Sequence, residues 1–125
     1  MDNILKYIGK LNFFKSLDTK DLEIVSSMSI ITKHPKNSIL YYENDTHNKL
    51  FFLVYGLLKI YKVDKFDNEI FLYHIYENSL ISELTTIDSN TIHCFSNAEL
   101  LEESIILEVD FLHLKEQFLS KNILN

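Results

Sequence analysis

The sequence predicts a mainly β fold with helices at both ends, and three observations carry that prediction. Between residues 30 and 109, short runs rich in Ile, Val, Phe and Tyr recur about every ten residues, separated by Asn, Asp, Ser and His, the spacing of an antiparallel barrel or sandwich. Outside that stretch, apolar residues fall three and four apart, the repeat of a helix that buries one face. Third, a chain of 125 residues that is 46% hydrophobic, 24% charged and 13% aromatic has the composition of one globular unit.

Residues 2–8 read as a short helix with Ile4, Leu5 and Ile8 on one side, and Gly9 is placed to end it in the left-handed conformation. Phe13 and Phe14 follow in a connector. Asp18 or Thr19 can cap a second helix, with Asp21 in its first turn and Leu22, Val25 and Met28 stacked at spacings of three. The expected strands are 30–33, 38–42, 50–55, 57–63, 69–76, 80–83, 93–98 and 104–109. Pro35 and Asn37 separate the first pair, residues 43–45 the next, and Asp67-Asn68-Glu69 closes a hairpin. With only two glycines in the chain, asparagine must fill most positive-φ turn positions, which it tolerates better than other side chains. Asp110 then caps a last helix with Phe111, Leu114 and Phe118 on one face. The expected organisation is a single domain over 1–125, with a helical lead-in at 1–29, a β-roll at 30–109 and a helix at 110–125.

Composition excludes several classes. No segment reaches the roughly 20 uninterrupted apolar residues of a membrane-spanning helix, so no membrane partner is expected. The amino terminus lacks the basic segment and apolar core of an export signal, and the expected compartment is the cytoplasm. The single cysteine, Cys94, makes no internal disulfide and supports no cysteine-ligated cluster or zinc knuckle, which need about four ligands. All twelve cations are lysine, so the planar fork that grips phosphate in two places is missing. Residues 1–65 carry ten Lys against seven acids, a balance of +3, whereas 66–125 carry two Lys against eleven acids, a balance of −9. A net charge of −6 argues against nucleic-acid binding by this chain itself, since such affinity comes from cations that neutralise phosphates.

An ordered set of motifs makes the reading specific. Phe13-Phe14-Lys15-Ser16-Leu17, then Leu22, then residues 36–45 (Lys36-Asn37-Ser38-Ile39-Leu40 through Asp45), then residues 50–62 with Gly56 before the central strand, resemble the start of the sensor domain of the Crp/Fnr family of bacterial transcription regulators. The resemblance continues through Asp67-Asn68-Glu69-Ile70, Ser82-Glu83-Leu84 and Ala98-Glu99-Leu100 to Val109-Asp110, and so covers nearly the whole chain. It implies a double-stranded β-helix, a jelly-roll or cupin-like roll of the cyclic-nucleotide-binding type. It also implies a small-molecule effector, a homodimer in the full-length protein, and contact with DNA only through a further carboxy-terminal domain that this chain lacks. In the family a long dimerisation helix and a winged helix-turn-helix follow the sensor, and the chain reads as the sensor piece of such a regulator.

The resemblance also locates the effector pocket. A member that binds cyclic nucleotide uses a glycine for close approach to phosphate, a glutamate for the ribose hydroxyl and an arginine for the phosphate charge. Glu83 matches the glutamate, while Ser82 stands at the glycine and Leu84 follows. Alignment on Ala98-Glu99 places Ile92 at the arginine, with His93 and Cys94 at the two small residues after it. A missing charge-assisted bond costs about 1.5–3 kcal/mol, and Glu83 would repel an anion further. The expectation is a degenerate cassette, formed by Ser82, Glu83, Leu84, Ile92, His93 and Cys94, that binds neither cyclic AMP nor cyclic GMP.

Some relatives of this type sense gases through haem, and His93 is the candidate ligand because it lies at the effector pocket; otherwise no cofactor is expected. His93 and Cys94 are adjacent on a strand and point to opposite faces, so they cannot share one metal, and no metal site is expected. Cys94 reads as a small buried apolar residue, His74 as a hydrogen-bonded core or rim residue, His34 and His47 as exposed loop residues, and His113 as a neighbour of the last helix's apolar face. The pairs Tyr41-Tyr42 and Phe51-Phe52 read as alternating strand residues. No cluster of the His-x-His type, and no Ser-His-Asp or Cys-His arrangement, follows from the sequence, so no catalytic residue is expected and the chain reads as a binding module. A protein-interaction scaffold on the same fold, without any ligand, is the other alternative.

Overall fold

The computed structural model describes residues 2–118, and within them two antiparallel four-stranded sheets face each other as a roll. One sheet has the order β1-β10-β4-β7, from Ser29–His34, Ser104–Asp110, Lys49–Tyr55 and Ser79–Leu80; the other has β2-β9-β5-β6, from Ile39–Tyr41, Asn97–Leu100, Leu58–Val63 and Glu69–Ile75. A short ladder joins β3 (Thr46–His47) to β8 (Ile92–His93), with Thr46 opposite His93 and His47 opposite Ile92. Helices α1 (Asp2–Lys10), α2 (Thr19–Ser27) and α3 (Phe111–Phe118), with a 3-10 turn at Asn12–Phe14, pack on the first sheet.

The pattern of β4 explains this layering. Every residue from Leu50 to Val54 is buried, because the strand is covered on both faces and its alternate side chains enter two different cores. Leu50, Phe52 and Val54 join Ile8, Leu11, Phe14, Val25, Phe111 and Leu114 under the helices. Phe51 and Leu53 turn the other way, into the roll, beside Tyr41, Leu58, Ile60 and Cys94. Strand β10 does the same, sending Leu107 and Val109 to the helices and Ile106 into the roll. Phe13, Phe14 and Phe52 lock the helical side through ring contacts with centroids 5.0–5.4 Å apart.

Turns are made as the shortage of glycine requires. Asn37, Asn44, Asp67 and Asn78 all take positive φ, and Asp64 Oδ1 accepts from the amides of Phe66 and Asn68 to brace the β5–β6 turn. Those bonds hold the Asp64 carboxyl below the usual carboxylate range. Gly56 sits at φ +119°, where a Cβ would collide with the side chain of Ser104 and lie 3.1 Å from its Cα, so this position admits glycine alone. Asp18 caps α2 through the amide of Asp21 at 2.9 Å, and Asp110 caps α3 through the amide of His113 at 3.0 Å.

Several expectations are corrected. Helix α1 continues through Gly9 to Lys10, because Gly9 is exposed with no neighbour against it and the turn's amide bonds outweigh its modest helix penalty. The expected 93–98 strand is divided into β8 and β9 by residues 94–96, and β3 was missed because two residues carry no periodicity. His34 is half-buried at the end of β1, its Nε2 2.8 Å from Thr32 Oγ1. His47 is half-buried on β3 between Tyr41 and Phe51, with centroids 6.0 and 5.2 Å away. His74 is exposed, its ring against Phe71 at 4.8 Å. The described part of the last helix is Phe111–Phe118; the expected continuation over 119–125 lies outside the described residues.

Candidate functional site

The candidate site is the segment from Ser82 to Ser96, where the chain crosses from one sheet to the other. Ser82 is buried, and its hydroxyl accepts from the amide of Phe51 at 2.9 Å, which ties the start of the segment to β4. Glu83 follows immediately, and the other end of the segment comes back to it. Its Oε2 accepts from the amide of Phe95 at 2.7 Å and its Oε1 from the hydroxyl of Ser96 at 3.0 Å. Leu84 packs against the helix-side core. Between these anchors, residues 85–91 form no strand or helix.

Glu83, Leu84, Thr85, Thr86, Ser89, Thr91, Ile92 and His93 enclose a cavity of about 120 Å³. That lies below the roughly 300–1,000 Å³ of sites that swallow a drug-sized molecule. Its wall is hydroxyl-rich, with one carboxylate and one imidazole. Ile92 is buried and belongs to the helix-side core, so its side chain forms an apolar wall. His93 is exposed, with its ring against Phe95 at 4.6 Å, whereas Cys94 is buried in the roll. The two side chains thus diverge, as their adjacency on a strand requires.

The region holds one carboxylate, Glu83, and one ammonium, Lys115, which is taken up by oxygens of Ile87, Ser89 and Asn90 rather than by the carboxylate. Among the described residues Glu83 takes part in no ion pair; the lysine pairs are Lys59 with Glu69 and Glu99 on the second sheet, and Lys62 with Glu43 in the turn after β2. Burial, followed by Asp45 and Glu83, pushes the Cys94 thiol up to about 12. Burial and then the charge of Glu83 also raise the phenols of Tyr41 and Tyr73. These three groups therefore stay neutral at pH 7, and Glu83 is what an entering ligand meets. Tyr41 is only 3% exposed, and its hydroxyl and His47 Nε2 are buried without a hydrogen-bond partner among the described residues. Buried polar groups normally find partners; the two rings lie 6.0 Å apart on the roll side of the segment, outside the residues that line the cavity.

Sequence reasoning placed Ser82, Glu83, Leu84, Ile92 and His93 in one segment, and the fold brings four of them to the cavity wall. Ser82 is its anchor to β4, and Cys94 lies on the roll side. It missed Tyr41, His47 and Tyr73, which reach the same region from β2, β3 and β6. It also missed Lys115 on α3, which contacts residues 87–90. Nothing local distinguished these residues, since topology alone brings them together. For haem, the residues around His93 do not fit: the cavity is a fraction of what a tetrapyrrole occupies, and hydroxyls and a carboxylate line it. No group of three or more His, Cys, Asp or Glu side chains among the described residues could hold a metal ion. No described helix is long and apolar enough to cross a membrane.

Comparison with known proteins agrees with this geometry. The sequence has no match among curated proteins. The N-terminal domain of a transcriptional regulator from Streptomyces coelicolor superposes with a TM-score of 0.76 at 16% identity, covering 93% of this chain and 80% of that one. The sensor domain of the transcriptional regulator DNR from Pseudomonas aeruginosa gives 0.77 at 16% identity, covering 90% and 75%. A cAMP-bound mutant of the regulatory subunit of a cAMP-independent protein kinase A from Trypanosoma brucei gives 0.79 at 10% identity, covering 92% of this chain and 42% of that one. Identities this low establish the shared roll and nothing finer. Residues 31–121 match the cyclic nucleotide-binding domain family, and with the roll and its crossing segment in place, the chain belongs to that family.

Proposed function

We propose that this chain is the effector-sensing domain of a Crp/Fnr-type transcription regulator whose cassette has lost cyclic-nucleotide binding. The observation that carries the reading is the lack of a cationic partner: among the described residues Glu83 pairs with no cation, and its carboxylate is taken up by the chain's own Phe95 amide and Ser96 hydroxyl. A cyclic nucleotide would have to displace those bonds and place a phosphate near a carboxylate. Ile92, at the arginine position of the resemblance, offers only hydrocarbon. The kinase subunit supports the argument from another side. It is described as cAMP-independent, and its cAMP-bound form carries an introduced arginine.

The effector that suits this wall is small and neutral or cationic, with a group that hydrogen-bonds to a carboxylate or a phenol. Ser82, Glu83, Leu84, Ile92, His93 and Cys94, with Tyr41 and Tyr73 from the facing strands, form the site in this reading. The site in this reading binds and does not transform its ligand: the hydroxyl that a carboxylate there accepts from, Ser96 on Glu83, is fully buried, and the Cys94 thiol is held protonated. An effector switches such a protein only by its difference in affinity for two conformers. The S. coelicolor and P. aeruginosa neighbours are described as parts of transcriptional regulators, which supports the regulator reading; DNA recognition by a domain beyond residue 125 and homodimerisation are what the Crp/Fnr resemblance implies. The coding sequence after Asn125 tests this: a helix of about 25 residues leading into a helix-turn-helix is expected. A stop codon or an unrelated domain overturns the regulator reading.

A further inference from the structure

Lys115 is a lysine with almost no solvent. It is 9% exposed, and its ammonium donates to Ser89 O at 2.7 Å, Asn90 Oδ1 at 2.9 Å and Ile87 O at 3.1 Å. It also lies 4.8 Å from the centroid of the Phe111 ring. Three oxygen acceptors match the three protons of an ammonium, so the charge is fully engaged by one short piece of chain. That piece has little else to hold it. Among the described residues, the other hydrogen bonds of residues 85–91 are internal: Asp88 N to Thr86 Oγ1, and Ser89 Oγ with the hydroxyl and amide of Thr91.

We propose that Lys115 is the positioning residue of the candidate site: an internal cation on α3 that gathers the carbonyls of residues 87–90 and so holds the wall of the cavity. Ser89, one of its acceptors, lines that cavity. The consequence is a latch between the site and the last helix. If residues 87–90 move away, the ammonium is left buried without acceptors, a state that is strongly unfavourable, so α3 must shift or loosen with them. If α3 moves, residues 85–91 lose the hydrogen-bonded link that, among the described residues, ties them to the rest of the fold. Linkage makes the coupling act equally in both directions. The functional meaning of the latch rests on the effector-site reading above, but its existence does not.

Hydrogen–deuterium exchange on the 125-residue chain tests it without any ligand. In Lys115→Met the loss of charge-assisted bonds should speed exchange at the two hydrogen-bonded amides of residues 87–91, Asp88 and Thr91, by roughly tenfold or more, while β1 and β10 keep their protection. Asn90→Ala, which leaves the lysine in place, should give a smaller rise in 87–91 together with faster exchange in residues 111–118. Should Lys115→Met not fold, the Asn90→Ala profile alone decides. Unchanged exchange in residues 111–118 for Asn90→Ala, or in 87–91 for Lys115→Met, overturns the latch. Failure of the effector reading would appear elsewhere, in ligand titrations, and leave these profiles untouched.

Discussion

Strand β4 and the segment 85–91 are held in opposite ways. Hydrogen bonds to β10 and β7 flank β4 on both sides, and its side chains feed two apolar cores at once. The segment 85–91 has neither strand partners nor a buried apolar row, and its polar link to the remaining fold among the described residues is one ammonium. The contrast separates scaffold from site. Opening β4 requires nearly global unfolding, whereas the cavity wall can open locally, and binding segments are drawn from that low-stability end.

The contrast breaks most sharply with Phe52→Ala. Phe52 is fully buried against Phe13 and Phe14, and its truncation should lower unfolding stability by about 3–5 kcal/mol in urea denaturation, or abolish folding. A loss below about 1 kcal/mol would mean that the aromatic lock is not part of the scaffold. At the boundary between the two regions, Glu83→Gln weakens two charge-assisted bonds that close the crossing segment, and a loss of about 2 kcal/mol is expected, measured the same way.

Alkaline pH probes the roll interior. The unfolded chain releases its thiol proton near the ordinary value, while the buried Cys94 thiol holds its proton up to about 12. Between pH 8 and 10 the unfolded state therefore binds fewer protons, so stability falls as pH rises, by about 1.5 kcal/mol over that interval. Tyr41 and Tyr73 add to the fall above pH 10, because burial raises both phenols. Cys94→Ser should flatten the 8–10 portion of a stability-versus-pH curve, and an equal slope in both proteins would contradict the assignment. The smallest effect belongs to the wall itself: Thr86→Ala removes one exposed bond to the amide of Asp88 and should change the melting midpoint by less than the equivalent of about 0.5 kcal/mol.

The fold was legible because it is written in periods. The helical spacing of Leu22, Val25 and Met28, the apolar runs of β4 and β10, and the asparagines at positive-φ turns all act over short stretches of chain. Asp18 and Asp110 announced their helices for the same reason, since a cap needs only the next three residues. The site was legible only in its linear part. Glu83 and Ser82 stood in a tripeptide, but Tyr41, His47, Tyr73 and Lys115 meet it through antiparallel pairing and helix packing, which no local pattern encodes. His47 shows the limit: it looked like a loop residue because β3 is two residues long, and its partner strand lies 45 positions on, with His47 opposite Ile92.

Titration calorimetry of the chain with cyclic AMP and cyclic GMP is the most direct test of the central claim, that this roll keeps a nucleotide sensor's framework around a wall whose one ammonium is already engaged and whose arginine position is hydrocarbon. No saturable heat should develop for either nucleotide up to about 1 mM, the range of a binding free energy no better than about −4 kcal/mol. One-site binding with micromolar affinity would contradict the account.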